Sequence, residues 1–472
     1  MLAAACFLVP SLSRQQSVQE VAPAAVSSPV VTGPIRATAP PGAPTHGYPF
    51  FCTTVDLASH GYVEEEFFFG GTANPYIMPA QDDVTASATP AGSRLPYVTR
   101  MVVRRPASAE HFKGIVLMEW LNVTAGYDLD ALWVASHEHM VRRGYAWVGV
   151  SAQRVGIHQA VTGLKAWSPT RYGALDVTNG GAITDDALCY DVYSQAARAV
   201  RSPTGVDPMG RLVVQRVLAI GVSQSAARLV RYHNHIHPLA RVFDGFVVLA
   251  GGRMLRTDLN VKVLKILSET DVAGTPAFQT QVAFRQADSD HYRRWEVAGS
   301  AHLDFHATLQ LQPLRARDLG LPPPVACTRP SSSRIPWHYV GNAALDAMVA
   351  WVRDGTKPAA GHDIQAAWVS PEPTAVIGRD GFGNALGGIR LSQHEVPTAL
   401  NSGVNSGPGY CSLYGTYQPF DDATLAALYG SHDAYVGRVK QVTSRNLAAR
   451  LIVREDAEAT IREAAQSSVG KR

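Results

Sequence analysis

Short apolar runs alternate with helical patterns through the middle of the chain. The runs have the near-continuous hydrophobicity of strands buried on both faces. They are Gly114–Trp120, Tyr145–Ser151, Val217–Ile220, Gly245–Ala250, Val263–Leu267 and Trp295–Ala298. Amphipathic patterns typical of helices separate them, at Ala131–Arg143, Asp191–Arg201, Gln224–Asn234 and Phe278–Phe284. This alternation predicts an α/β fold: a mainly parallel sheet with right-handed crossovers, flanked by helices.

Three stretches lie outside this alternation. Residues 1–46 are rich in Ala, Pro, Val and Ser, which predicts a flexible segment before a core over residues 47–320. Residues 157–188 interrupt the core with a long loop, and loops of this length are usually functional, so we predict a cap over the site. A surface insertion is the alternative. Residues 321–472 are predicted to form a C-terminal region packed on the core.

The composition excludes several classes of protein. Of 472 residues, 46% are hydrophobic and 17% are charged, and the net charge is only +3. The sequence has no long run of like charge, which is what a surface for nucleic acid or an anionic membrane would require. No apolar run approaches the roughly 18 residues of a membrane span. We therefore predict a soluble protein and leave open whether it is cytoplasmic or exported.

The five cysteines are too scattered for a disulfide framework. We predict free, mostly buried thiols and leave open one bridge between Cys327 and Cys411. His233, His235 and His237 alternate in a way that suits neither a helix face nor a standard zinc site, so we interpret them as structural. The sequence predicts no metal and no cofactor.

One apolar run ends in a Gly-x-Ser-x-Ser pattern, spanning Gly221 to Ser225, and a helical pattern follows it. A nucleophile elbow needs this order of strand, sharp turn and helix, with small residues beside the nucleophile. Ser225 stands where glycine is more usual. We predict that Ser223 is a catalytic serine.

A serine hydroxyl needs a base to take its proton and a carboxylate to orient that base. On this fold both come from loops after later strands, in the order Ser, acid, His. His302 follows the last buried run, with His306 as the alternative base. For the acid we favour Asp271, with Glu269 and then Asp258 as alternatives, and the sequence does not decide between the first two.

The oxyanion of such a reaction needs backbone amides as donors. We predict the amide of Gln224 and one from Leu121 or Asn122, directly after the first buried run. Arg154, Trp167 and Tyr172 are candidates for the pocket wall.

Several motifs resemble the large bacterial α/β-hydrolase domain-containing proteins, a carboxylesterase-like family. They are Gly70–Asn74, Pro96–Met101, Val116–Asp130, Gly144–Arg154, Gly221–Ser225, Glu269–Asp271 and Gly388–Arg390. The resemblance extends from about Tyr48 to the C-terminus. It implies an α/β-hydrolase fold with Ser223 as nucleophile and His302 as base, and it makes the C-terminal region integral.

The sequence therefore predicts a cofactor-free serine hydrolase that cleaves small-molecule carboxylic esters through an acyl-enzyme. Lactonase, thioesterase, polyester depolymerase or acyltransferase chemistry on the same triad stays open. So does a non-catalytic binding protein of the same fold. Oligomeric state is not predicted.

Overall fold

A ten-stranded sheet forms the centre of the computed structural model, which describes residues 26–322 and 326–471. The strands, including three short pairs outside this sheet, are β1 (Val30–Thr32), β2 (Tyr62–Ala73), β3 (Tyr76–Ile77), β4 (Thr89–Pro90), β5 (Leu95–Pro106), β6 (Ile115–Trp120), β7 (Ala146–Val150), β8 (Thr204–Gly205), β9 (Arg216–Val222), β10 (Gly245–Leu249), β11 (Lys262–Ser268), β12 (Tyr292–Val297), β13 (Ala366–Ala367), β14 (Val376–Ile377), β15 (Ala399–Ser402) and β16 (Thr416–Pro419).

Helices cover both faces of the sheet and make up much of the C-terminal region. They are α1 (Ala131–Arg143), α2 (Arg154–His158), α3 (Leu164–Trp167), α4 (Pro169–Tyr172), α5 (Cys189–Arg201), α6 (Gln224–Arg231), α7 (His237–Ala240), α8 (Glu269–Ala273), α9 (Phe305–Leu319), α10 (Trp337–Asp354), α11 (Ser392–Glu395), α12 (Cys411–Tyr414), α13 (Asp422–Tyr429), α14 (His432–Ala448) and α15 (Arg454–Gln466).

The strand order is β12-β11-β10-β9-β6-β7-β5-β2-β1-β8. All neighbouring pairs from β12 to β7 are parallel, whereas β5 pairs antiparallel with both β7 and β2. The carboxyl ends of the parallel strands meet at one edge, where loops from β6, β9, β11 and β12 come together. Ligands bind outside this edge in open α/β sheets.

The predicted strands of the parallel half are all present, because each apolar run is buried on both faces of the sheet. Two helix predictions need correction. Residues 278–284 form only a short 3-10 turn at Gln281–Phe284. The helix predicted over 224–234 ends at Arg231 and continues as a π-helical turn over Tyr232–Ile236.

The start of the chain differs from the flexible segment that its composition predicts. Val30–Thr32 pairs antiparallel with β2 and parallel with β8, so this part of the segment belongs to the sheet. Residues 1–25 lie outside the described residues.

The insertion over 157–188 packs against the side of the core. Trp167 and Tyr172 are buried in an aromatic cluster with Tyr48, Phe50 and Tyr127. Trp167 Nε1 donates a hydrogen bond to the carbonyl of Asp318, at 2.8 Å. The insertion is therefore anchored to the N-terminal loop and to α9.

The C-terminal region continues the core. Helix α10 packs on β10 and β11, and Ile389 forms a parallel bridge with Val297 at the end of β12. A disulfide joins Cys327 to Cys411, as the sequence left open, and Cys52 and Cys189 are free and buried. The disulfide fixes α12 to the segment that leads into α10.

We expect that the double variant Cys327→Ser/Cys411→Ser has a free energy of unfolding lower by about 2–5 kcal/mol. The bridge joins residues 84 apart in sequence, so its loss frees a long loop in the unfolded chain. Urea denaturation with and without reductant measures the effect. Reductant should destabilise the wild type and leave the double variant unchanged. An unchanged wild-type transition would contradict the prediction.

None of the helices within residues 26–322 and 326–471 has the length and hydrophobicity required to cross a membrane.

Candidate functional site

Ser223 occupies a strained turn between β9 and α6. Its backbone has φ 59° and ψ −115°, a conformation that residues other than glycine rarely adopt. Gly221 must lack a side chain, because a Cβ there would lie 2.6 Å from the carbonyl oxygen of Ser225. The Ser223 amide donates to the carbonyl of Leu249 on β10, at 2.9 Å. The turn therefore has the geometry of a nucleophile elbow.

The serine at position 225 has a structural explanation. Its side chain is fully buried, and its hydroxyl accepts from the Val222 amide at 2.9 Å and donates to the Val222 carbonyl at 3.0 Å. Asn122 Nδ2 donates to the same carbonyl, at 2.9 Å. Ser225 thus closes the elbow with hydrogen bonds that a glycine does not form.

The structure brings Ser223, His302 and Asp271 together. His302 Nε2 lies 2.8 Å from Ser223 Oγ, and His302 Nδ1 lies 2.6 Å from Asp271 Oδ1. The His302 amide donates to Thr270 Oγ1 at 3.0 Å, which ties the histidine loop to α8. The imidazole thus bridges the serine hydroxyl and the Asp271 carboxylate.

The second oxygen of Asp271 is fixed by Ser268 at the end of β11. The amide and the hydroxyl of Ser268 both donate to Asp271 Oδ2, at 2.8 and 2.7 Å. Because these donors satisfy Oδ2, Oδ1 is left facing the imidazole. Local sequence therefore orients the carboxylate through the Ser-x-x-Asp pattern.

The Glu269 carboxylate points away from His302 toward the C-terminal region. One oxygen accepts from the Gly299 amide at 2.8 Å. The other pairs with Arg379 at 2.8 Å and accepts from Ser402 and Gly403, at 3.0 Å each. Glu269 therefore joins the loops after β11 and β12 to the C-terminal region.

The other alternative residues lie elsewhere. Asp258 is on the surface, where it forms an ion pair with Arg256 at 2.6 Å. The His306 ring stacks on His338, with ring centroids 4.6 Å apart. Neither residue has a hydrogen bond to Ser223 or His302 within the part of the chain that the structure describes.

The backbone amides after β6 differ from the prediction. The Leu121 amide donates to Val150 at 3.3 Å and the Asn122 amide to Leu129 at 3.1 Å, so both are already used. The Val123 amide instead faces the elbow, where it lies 3.4 Å from Gln224 Oε1. Gln224 begins α6, and its own amide has no partner within the helix. The Gln224 amide therefore lies next to Ser223 without a partner in the helix, and the Val123 amide is held by a long contact to the Gln224 side chain instead of by the backbone.

A cavity opens beside Ser223 and His302, with a volume of about 140 Å³. Its walls come from α1, α9, the start of α10 and the segment around α12. Most of the lining side chains are apolar: Ala125, Tyr127, Leu129, Leu132, Val134, Leu249, Leu303, Ala307, Leu311, Trp337, Tyr410, Leu413 and Tyr414. The backbone of Leu303 donates to the carbonyl of Leu413 at 2.9 Å, so the wall around α12 is attached to the histidine loop.

The three residues predicted for the pocket wall do not line this cavity, and neither does any other residue of the fully described segment 157–188. Tyr172 is buried and donates to Glu66 at 2.7 Å, and Trp167 packs on Phe50, which also contacts Tyr127. The Arg154 amide donates to Asp186 at the start of α2. The insertion therefore supports the wall from behind, and the walls themselves come from helices that sequence reasoning did not place there.

A second pair of acid and imidazole lines the same cavity. Asp304 Oδ2 accepts a hydrogen bond from His338 Nδ1 at 2.9 Å, while Asp304 Oδ1 caps α9 by accepting from the His306 amide at 2.8 Å. Burial alone would lower the pKa of His338, but the Asp304 carboxylate outweighs it and raises that pKa. Burial alone would raise the pKa of Asp304, and His338 lowers it.

We expect His338→Asn to lower the melting temperature more at pH 5.5 than at pH 9. A raised folded-state pKa stabilises the fold below the unfolded pKa of about 6.5, and this contribution is lost as the pH rises through the folded pKa. At pH 5.5 the loss should be roughly 1.5–3 kcal/mol. Thermal unfolding across this pH range measures it, with exposed His60→Asn as control. An equal effect at both pH values would contradict the prediction.

The three alternating histidines are held by local contacts. His233 Nδ1 lies 2.9 Å from Asn234 Oδ1, and His235 Nδ1 lies 2.8 Å from the Ala86 carbonyl. His237 packs edge-on against Phe246. Across residues 26–322 and 326–471 no cluster of His, Cys, Asp or Glu is arranged to hold a metal ion.

A family model described as an alpha/beta hydrolase domain matches residues 31–462. The chain belongs to this family. The match reaches from β1 into α15, so the family includes the C-terminal region together with the sheet. No curated protein matches the chain.

Several solved structures of hydrolases match part of the chain at low identity. A putative dienelactone hydrolase from Klebsiella pneumoniae is 15% identical, with a TM-score of 0.26, and the match covers 54% of this chain and 99% of that one. An alpha/beta serine hydrolase without lid from Xanthomonas campestris is 14% identical, with a TM-score of 0.28, and the match covers 47% and 92%. A putative acetyl xylan esterase from Bacteroides fragilis is 12% identical, with a TM-score of 0.23, covering 40% of this chain and 44% of that one.

Proposed function

We propose that this alpha/beta hydrolase cleaves carboxylic esters with Ser223 as nucleophile, His302 as base and Asp271 as the orienting acid. The observation that carries the proposal is the continuous hydrogen-bonded series from Ser223 Oγ through His302 to Asp271, at 2.8 and 2.6 Å. Nucleophile, base and orienting group within hydrogen-bond reach are the requirement for covalent catalysis by serine.

In the first half of the reaction Ser223 Oγ attacks the acyl carbon while His302 Nε2 accepts its proton. The negative charge moves to the carbonyl oxygen, which the amides of Gln224 and Val123 stabilise. The long 3.4 Å contact between the Val123 amide and Gln224 Oε1 is replaced by a contact to the substrate oxygen. His302 then donates the proton to the alcohol as the C–O bond breaks.

In the second half water attacks the acyl-enzyme, with His302 again as the base, and releases the acid. The apolar cavity beside Ser223 holds the acyl or alcohol group and keeps bulk water away from the reacting atoms. This chemistry uses no cofactor. Lactones, thioesters and polyesters pass through the same intermediates, and an acyltransferase differs only in replacing water with another alcohol.

A fluorophosphonate probe tests the proposal, because it forms a covalent bond only with an activated serine. We expect the wild type to be labelled and Ser223→Ala to remain unlabelled, with mass spectrometry placing the adduct on the peptide that contains Ser223. Hydrolysis of p-nitrophenyl esters of increasing acyl length then identifies the acyl preference. Failure of the folded wild type to react with the probe would favour a non-catalytic binding protein of the same fold.

A further inference from the structure

Helix α9 places an arginine in the wall of the cavity that contains Ser223. Asp304, Thr308, Leu311 and Arg315 recur at intervals of three or four residues, so they share one face of the helix, and all four line the cavity. Because α9 begins three residues after His302, this face continues from the loop that contains His302 into the cavity.

Arg315 has no carboxylate partner within the described parts of the chain. Its buried Nε–H has no hydrogen-bond acceptor, and the guanidinium is hydrogen-bonded to the side chains of Tyr127 and Tyr414, which are neutral groups. Arg317, on the same helix, shows the usual arrangement: both Nε and a terminal nitrogen pair with the Asp318 carboxylate, at 2.6 and 2.8 Å. Charged groups shielded from water are usually paired with an opposite charge, so a guanidinium that lines a cavity without a carboxylate partner requires an explanation.

The groups around Arg315 are phenols and apolar side chains. Tyr127, Tyr410 and Tyr414 line the cavity with it. Burial raises the pKa of Tyr127 and Tyr414, and the positive charge of Arg315 beside them partly offsets the increase. The phenols thus keep their protons and add hydroxyl donors next to the guanidinium. This corner of an otherwise apolar cavity presents hydrogen-bond donors and one positive charge.

Such a corner is complementary to a carboxylate. A guanidinium holds a carboxylate through two parallel hydrogen bonds, and this bond is strong when water is excluded. The apolar walls between Arg315 and Ser223 suit a hydrocarbon spacer instead of a second polar group.

We propose that Arg315 binds a free carboxylate of the substrate, so that the enzyme prefers esters whose acyl chain ends in a carboxylate, such as monoesters of dicarboxylic acids. This specificity rests on the proposed function, because Ser223 must cleave the ester at the other end of that chain. Arg315 acts in this scheme as a specificity-determining residue and takes no part in proton transfer.

Paired substrates test the specificity. Mono-p-nitrophenyl esters of adipic, pimelic and suberic acid are compared with p-nitrophenyl hexanoate, heptanoate and octanoate, which have the same chain lengths without the charge. We expect kcat/KM for the carboxylate-bearing ester to exceed that for the neutral ester of the same length by about 10- to 100-fold, at the chain length that spans the cavity. Arg315→Met should abolish this preference, and Arg315→Lys should keep part of it. Arg462→Met, the same change on the exposed surface of α15, is the control and should leave the ratio unchanged.

Binding provides a readout that does not depend on hydrolysis. In Ser223→Ala, calorimetry should measure tighter binding of adipate, pimelate or suberate than of the corresponding diamide. Adding Arg315→Met to this variant should remove the difference in affinity. If the wild type cleaves neutral and acidic esters equally well and Ser223→Ala shows no preference for the dicarboxylate, the inference is overturned while the proposed function stands. If no ester is cleaved and no probe reacts, the proposed function fails. In that case, dicarboxylate binding that depends on Arg315 would still support an anion site. If no such binding were found either, both the proposed function and the carboxylate site would be overturned.

Discussion

The variant Ser223→Ala lowers kcat for ester hydrolysis by about a million-fold, if Ser223 forms the acyl-enzyme. The alanine has no oxygen to attack the acyl carbon, and the remaining amides and cavity walls only bind and polarise the ester. The loss appears in kcat, because the hydroxyl contributes little to binding of the ground state. Steady-state kinetics with p-nitrophenyl esters, supported by a circular dichroism spectrum, measures it.

The chain offers a matched control in Ser136→Ala. Ser136 lies on α1 and lines the same cavity. It is a control because the hydroxyl that His302 Nε2 contacts, at 2.8 Å, is that of Ser223. The control should retain kcat within about an order of magnitude. A Ser223→Ala variant that turned over esters at the wild-type rate would exclude the acyl-enzyme mechanism at this serine.

The variant Asp271→Asn should lower kcat by about ten-thousand-fold. Both donors of Ser268 point at one oxygen of Asp271, at 2.8 and 2.7 Å, so the amide oxygen of an asparagine takes that position. Its NH₂ group then faces His302 Nδ1 and forces that nitrogen to accept. The imidazole proton consequently moves to Nε2, where it prevents the ring from taking the proton of Ser223. Titration of kcat/KM against pH distinguishes this loss from unfolding.

Glu269→Gln is the informative counterpart, because Glu269 lies two residues earlier on the same turn. Its carboxylate contacts Arg379 and backbone amides, and none of its hydrogen bonds reaches His302. We expect a loss of about 3 kcal/mol in the free energy of unfolding, since Arg379 loses a buried counter-charge. At a temperature where the variant is folded, kcat should fall far less than in Asp271→Asn. The opposite order of effects would make Glu269 the orienting acid.

Local sequence patterns predicted the central sheet and the contacts closest to the serine. The apolar runs before Ser223, Asp271 and His302 are long enough to be buried on both faces, and parallel strands bring their carboxyl ends to one edge. The choice between Asp271 and Glu269 could not be made in this way, because both follow β11 within one helical turn. The two carboxylates differ in their hydrogen-bond partners, which include Ser268 for Asp271 and Arg379 for Glu269.

The cavity walls depend on contacts between distant segments, which no local pattern contains. Arg315 carries a weak signal, since it recurs with Asp304 on one helix face. Tyr410 and Tyr414 are brought to the site by long-range contacts such as the disulfide and the hydrogen bond between Leu303 and Leu413. The amides after β6 were misplaced for a similar reason. The Asn122 amide donates to the Leu129 carbonyl in a β-bridge. This pairing depends on the path of the loop, which its composition does not indicate.

The contacts of Glu269 have a consequence for attempts to shorten the protein. A fragment ending at residue 320 would retain Ser223, His302 and Asp271. It would, however, remove the partners of Glu269, which are Arg379, Ser402 and Gly403. The buried Glu269 carboxylate would then lack its arginine partner, two residues from Asp271. Proteolytic trimming or gene fusion at that boundary should therefore yield an aggregating or inert product. We therefore expect the last third of the chain to be required for the proposed activity.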